Sequence, residues 1–111
     1  MLDNLVKKII KREKRTGRID VSLVNDRLIH QLNWKFRKKD RPTDVLSFAY
    51  PGEGILGDVI ISRETTRRNA QKYGVSYGQE VKRLVIHGTL HVLGYDHGRK
   101  MSHAEEVCAK L

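Results

Sequence analysis

Apolar residues recur at helical spacing near the start of the chain, where Leu5, Val6, Ile9 and Ile10 stand among charges. The spacing predicts an amphipathic helix over residues 3–15, broken by Gly17. Ile19, Val21 and Leu23 then alternate with polar residues, the pattern of a strand. Asn25 is placed to cap a second helix with Leu28, Ile29, Leu32 and Phe36 on one face, and Pro42 ends that stretch. Residues 45–50 and 55–61 read as two strands, and Pro51-Gly52-Glu53-Gly54 between them as the turn of a hairpin. Ser62 caps a short helix that stops near Gly74. Ser76 and Gln79 form a capping box for the next helix, which Gly94 stops, and Ser102 with Glu105 repeats the box for a last helix.

This order predicts an α+β fold, with a small mixed β-sheet and helices packed against it. The direction of the first strand is left open by the sequence. Leu84, Val85, Ile86, Leu90, Val92 and Leu93 cover nearly the whole circumference of their helix, so that helix is expected to be central and buried. With 111 residues the chain suits one domain, residues 1–111.

That central helix carries the chemistry. His87 and His91 lie four residues apart, so their imidazoles project from one face, one turn apart. Gly94 can take a left-handed backbone and turn the chain back, bringing His97 round as a third ligand. Three protein nitrogens on one zinc ion leave a fourth position for water, the arrangement of a catalytic site. Two buried histidines without partners would be costly, and a metal satisfies them. His30 and His103 lack this context and are expected at the surface.

The spacing matches the metzincin protease pattern at all three histidines and at the glycine, but Gly88 stands where those proteases place their glutamate base. A metzincin-like metalloprotease is therefore disfavoured. A non-catalytic RNA-binding module with a structural zinc needs a fourth protein ligand, for which Cys108 and His103 are the nearby candidates.

Charge adds a partner. The net charge is +9, and residues 1–41 hold 13 Lys or Arg against 5 Asp or Glu, so nearly all of the excess lies there. Such a surface attracts polyanions, phosphate backbones above all. Lys35, Lys38, Lys39 and Arg41 cluster at the end of the second helix as candidates for tracking RNA. Hydrophobic residues at 39% and charged residues at 32% describe a globular chain, and no apolar run is long enough for a membrane span. A lone Cys108 and the lack of a signal-like N-terminus point to the cytoplasm.

Beyond the spacing, His87-Gly88-x-Leu90-His91-x-Leu93-Gly94-Tyr95-Asp96-His97 resembles the signature of the bacterial YbeY family. Leu32-Asn33-x-x-Phe36-Arg37 with Pro42-Thr43-Asp44-Val45-Leu46-Ser47-Phe48, and Leu56-Gly57-Asp58-Val59-Ile60-Ile61, are similar to two further stretches of that family, in the same order. The resemblance implies a zinc-dependent endoribonuclease specific for single strands. It further implies a role in ribosomal RNA maturation, including the 16S 3′ end, and in ribosome quality control. Ribosomal RNA, and the ribosome or its proteins, are the implied partners. It implies one zinc on His87, His91 and His97, with Arg37 and His87 as catalytic residues. The chain is shorter than the family leads one to expect, as though trimmed at both ends, and Gly98-Arg99-Lys100 is more basic than the acidic stretch common there.

With that reading, Arg37 suits a bidentate contact to phosphate. Asp96 suits either orienting a ligand imidazole or capping the turn. Thr43, Asp44 and Ser47 are candidates for lining the cleft, and Asp58, unusual inside a strand, for facing it. Trp34 is a candidate for stacking a base or for the core.

Overall fold

The computed structural model describes residues 2–52 and 54–111. Its elements are α1 (Leu2–Arg12), β1 (Arg18–Val24), α2 (Asp26–Arg37), β2 (Val45–Ala49), β3 (Ile55–Ser62), α3 (Arg63–Tyr73), α4 (Tyr77–Val92) and α5 (Arg99–Cys108). The α+β class holds, and all eight elements fall in the expected order. Of the turn at residues 51–54, Glu53 lies outside the described residues.

The strands form one mixed sheet in the order β1-β3-β2. β2 and β3 are the expected antiparallel hairpin, with Ser47 opposite Val59. β1 runs parallel to β3, with Val21 opposite Val59, so the chain crosses over through α2 and β2 before it returns. α4 lies on the sheet face to which Val59 points, and α1 and α5 flank it. Leu84, Val85 and Leu90 of α4, Val59 and Ile61 of β3 and Ile9 of α1 form the centre of the core, each at most 1% exposed. Burial of such side chains contributes roughly 1.5–3 kcal/mol apiece.

Two glycines set how closely α4 approaches the sheet. A Cβ on Gly88 would stand 2.6 Å from Val59 Cγ1, and one on Gly57 would stand 2.6 Å from Val92 Cγ1. Larger residues at either position would force the helix off the strands.

Three of the expected caps are present. Asn25 accepts from the Leu28 amide, Ser62 from the Thr65 amide, and Ser76 and Gln79 complete their reciprocal box. Ser62 also donates its hydroxyl proton to Asp26, at the start of α2. Asp26 accepts from Thr65 at 2.6 Å and from Arg68 at 2.7 Å as well, which binds the N-termini of α2 and α3 together. Burial alone would raise the Asp26 carboxyl, but these hydrogen bonds outweigh it and bring the pKa down to about 2.

The second box is a correction. α5 begins at Arg99, with Gly98 at its cap and no side-chain cap, so Ser102 lies inside the helix. The Ser102 amide already donates to the Gly98 carbonyl at 3.0 Å, and Glu105 is engaged elsewhere. α1 is also shorter than expected, since the chain leaves the helix after Arg12 and Lys14 takes φ +56.

On α2 the buried line is Ile29 and Asn33, while Leu28, Trp34 and Phe36 are exposed. The apolar pattern misplaces this face because a polar residue occupies it. The Asn33 amide donates to the Arg41 carbonyl at 2.9 Å and holds the loop after α2 against the helix.

Candidate metal centre

The centre begins with the end of α4. Gly94 has φ +102, its amide donates to the His91 carbonyl and the Tyr95 amide to the Leu90 carbonyl, each at 3.0 Å. These two bonds are those of a Schellman turn, which reverses the chain so that His97 returns toward the helix. His87 and His91 are half-buried and His97 exposed, and one ring nitrogen from each lies within 4.8 Å of the others.

Two backing contacts decide which nitrogens face the common point. His87 Nδ1 donates to Glu105 of α5 at 3.1 Å, and His91 Nδ1 donates to the Tyr95 carbonyl at 2.8 Å. Both Nε2 atoms are thereby left as acceptors, 3.2 Å apart. Tetrahedral zinc with nitrogens at roughly 2.0–2.1 Å requires neighbouring donors about 3.3 Å apart, so the pair fits that ion. Burial pushes the His91 pKa below the ordinary histidine value, leaving a neutral imidazole at neutral pH, as a metal ligand must be. Sequence reasoning missed Glu105, because its position three residues after Ser102 fitted a cap equally well.

A cleft of about 580 Å³ opens over these rings, and Arg37, Lys39, Arg41, Thr43, Asp44 and Ser47 join the histidines around it. Arg37 is therefore brought to the histidines by the fold, across fifty positions of sequence. Its Nη2 donates to the Ser47 carbonyl at 2.7 Å, and its guanidinium lies over Phe48, 5.5 Å from the ring centre. The contacts hold the fork in place at the cleft. Asp44 accepts from the Val45 amide at 2.8 Å and from Asn69 at 3.1 Å, so its carboxylate is engaged in the wall.

Asp96 lines the cleft, but among the described residues no hydrogen bond joins it to a ligand imidazole. Asp58 points away from the centre, bonded to the Tyr50 hydroxyl on the other face of the sheet. Lys35 and Lys38 sit outside the cleft, over the rings of Phe36 and Trp34 respectively. His103 is exposed, whereas His30 is half-buried and paired with Asp40 at 2.7 Å.

The positions suggested for a closing fourth ligand are not in the cluster, which among the described residues comprises the three histidines. Cys108 is fully buried in the core, where burial raises its thiol pKa and disfavours the thiolate a metal would need. The Gly88 position faces Val59 and Ser47, so a glutamate base has no room there.

Known proteins share this arrangement of sequence and fold. A relative from Aquifex aeolicus (strain VF5), named Endoribonuclease YbeY, is 51% identical over 83 residues, covering 71% of this chain and 55% of the relative. One of the same name from Bacillus subtilis (strain 168) is 39% identical over 119 residues, covering 94% of this chain and 76% of the relative. The chain thus spans little more than half of the Aquifex protein and three quarters of the Bacillus one. The solution structure of TM1509 from Thermotoga maritima superposes with a TM-score of 0.74 at 31% identity, over 98% of this chain and 77% of that one. The family model described as Endoribonuclease YbeY matches residues 1–110, and with these relatives it follows that the chain belongs to the YbeY family.

Proposed function

We propose that this chain is a zinc-dependent endoribonuclease that cuts single-stranded RNA. Its substrate is ribosomal RNA, including the 3′ end of 16S RNA, and its roles are ribosomal RNA maturation and ribosome quality control in the cytoplasm. Ribosomal proteins are its further partners. The observation that carries the reading is the meeting of the three histidines with Arg37 in one cationic cleft. The name of its relatives supplies the reaction class.

His87, His91 and His97 would hold the ion, with Glu105 and the Tyr95 carbonyl fixing two of the rings. Bound zinc supplies Lewis acidity and an activated water at neutral pH. Arg37 provides what the phosphodiester needs from the protein, a fixed cationic fork that stabilises charge building on the phosphoryl oxygens. Its bond to the Ser47 carbonyl uses one N–H at the edge of the guanidinium and leaves other donors for the substrate. Lys39 and Arg41 line the same cleft and attract the RNA backbone without reading its sequence, with Lys35 and Lys38 at its approach.

The test is cleavage of a labelled single-stranded ribosomal RNA fragment by protein stripped of metal and then reloaded with zinc, beside His91→Ala. Cleavage should return with zinc and be absent in the variant. RNA binding without cleavage under any metal would replace the nuclease reading with that of a binding module.

A further inference from the structure

We infer that the lysines of α1 and of the turn that follows it form a second phosphate-contacting surface, which a bound single strand reaches from the metal cleft by way of the turn between α4 and α5. The inference rests on the RNA reading above and extends the footprint to an element which that reading does not use.

The apolar side of α1 is spent on the core, with Leu5, Val6, Ile9 and Ile10 all buried. The other side carries Lys7 and Lys11, one turn apart at i and i+4, and Lys14 follows in the turn just past the helix end. All three, with Arg15, line an open groove of about 460 Å³ to which no described residue contributes a carboxylate. The neighbouring cations of α1 are otherwise engaged, Arg12 with Glu13 and Lys8 with the Leu111 carbonyl. Lys7, Lys11 and Lys14 form no ion pair among the described residues.

The stripe leads to the metal centre. Arg15 donates to the Leu93 carbonyl at 3.3 Å, and the Tyr95 hydroxyl donates to Glu13 at 2.7 Å. The end of α1 is thus fastened to the turn that presents His97. A groove of about 640 Å³ over that turn is lined by Arg99 and Lys100, and it shares residues 94–97 with the metal cleft. Cations therefore follow one another from Arg41 and Lys39, past the histidines, to Lys100 and Arg99, and on to Arg15 and the lysine stripe. The acidic side chains along this line are Asp44 and Asp96 in the clefts and Glu13 at the join, and Asp44 and Glu13 already accept hydrogen bonds from Asn69 and Tyr95.

The chemistry favours a nucleic-acid backbone over other anionic partners. A bilayer would need an apolar face to insert, and that of α1 is buried. A protein interface would need an aromatic or aliphatic anchor, and the groove offers lysines around the buried Ile10. Lysines are flexible point charges suited to phosphates of any sequence.

The experiment compares the zinc-loaded protein with Lys7→Gln/Lys11→Gln/Lys14→Gln on single-stranded RNAs of about 6 and about 20 nucleotides, bracketing the usual footprint. Cleavage kinetics are followed for both lengths, and binding by fluorescence anisotropy across a salt series. For the long RNA, affinity should fall about tenfold or more and the slope of log K against log salt should become shallower by about 2. The short RNA should keep its kcat and KM, and Lys7→Arg/Lys11→Arg/Lys14→Arg should restore the long-RNA affinity. Unchanged affinity and slope for the long RNA, with both RNAs still bound, would overturn the inference while leaving the nuclease reading intact. Failure of the parent protein to bind either RNA would overturn both. Binding of both without cleavage removes the nuclease reading alone, and the salt slopes still decide the stripe.

Discussion

The carboxylate of Glu105 on α5 accepts a hydrogen bond from Nδ1 of His87 on α4, at 3.1 Å. The contact fixes the ring and its tautomer, so that Nε2 faces His91 and His97. Glu105→Ala should weaken zinc binding about 10- to 100-fold, and Glu105→Gln should retain part of it. Competition against a chromophoric chelator measures this, and unchanged affinity in the alanine variant would reduce Glu105 to a packing residue.

Asp96 offers the contrast. It stands beside His97 in sequence, yet the imidazole partners are Glu105 and the Tyr95 carbonyl. Asp96→Asn should therefore change zinc affinity by less than the roughly tenfold expected for loss of an orienting partner. A larger loss in the same titration would return Asp96 to the ligand-orienting role.

Arg37 touches no ligand imidazole, so its loss should spare the metal. Arg37→Ala is expected to keep one zinc per chain while cleavage falls about 10²- to 10³-fold. Arg37→Lys should recover little, because a single ammonium cannot replace a fork that spans the Ser47 carbonyl and a phosphate. Metal analysis beside single-turnover rates separates the cases, and zinc lost from the alanine variant would make Arg37 a structural residue.

Gly88 is a packing requirement. Gly88→Ala places a methyl against Val59 and Ser47 and should destabilise the fold by about 1–3 kcal/mol. A lowered urea midpoint would register this. Gly88→Glu should not create peptide hydrolysis, which a peptide library can check.

Acid stability should depend on Asp26. Its folded pKa of about 2 lies below the ordinary 3.8, so the unfolded chain takes up its proton first as pH falls. The stabilisation is fully present above about pH 4 and is lost as pH drops through about 2. Allowing for partial solvent screening, it amounts to about 1–2 kcal/mol. Asp26→Asn should lower the unfolding free energy from urea titration at pH 7 by that amount and bring it close to the parent near pH 2. A constant difference across this range would count against the hydrogen-bonded carboxylate.

Much of this architecture is legible in the chain because it is set by local chemistry. Asn25, Ser62 and Ser76 cap the helices their side chains can reach, and the histidine spacing with Gly94 brings three candidate ligands together before any tertiary contact is known. What escapes the sequence depends on distant partners. The parallel pairing of β1 with β3 is a tertiary choice, Asn33 is buried because it answers the Arg41 carbonyl, and Glu105 serves His87 rather than a helix end. Family resemblance alone singles out Arg37, since nothing in its spacing says that α2 ends at the cleft.

The three imidazoles and both groups that back them come from one uninterrupted stretch, residues 87–105. Closing such short loops costs little chain entropy, and contacts close in sequence form early in folding. Arg37 stands on α2, within the crossover that links β1 to β3, and reaches the cleft through its bond to Ser47 of β2. Sequence distance therefore divides the site in two: the three imidazoles and their backing groups lie within one short stretch, while the guanidinium of Arg37 comes from an element that only tertiary docking brings to them.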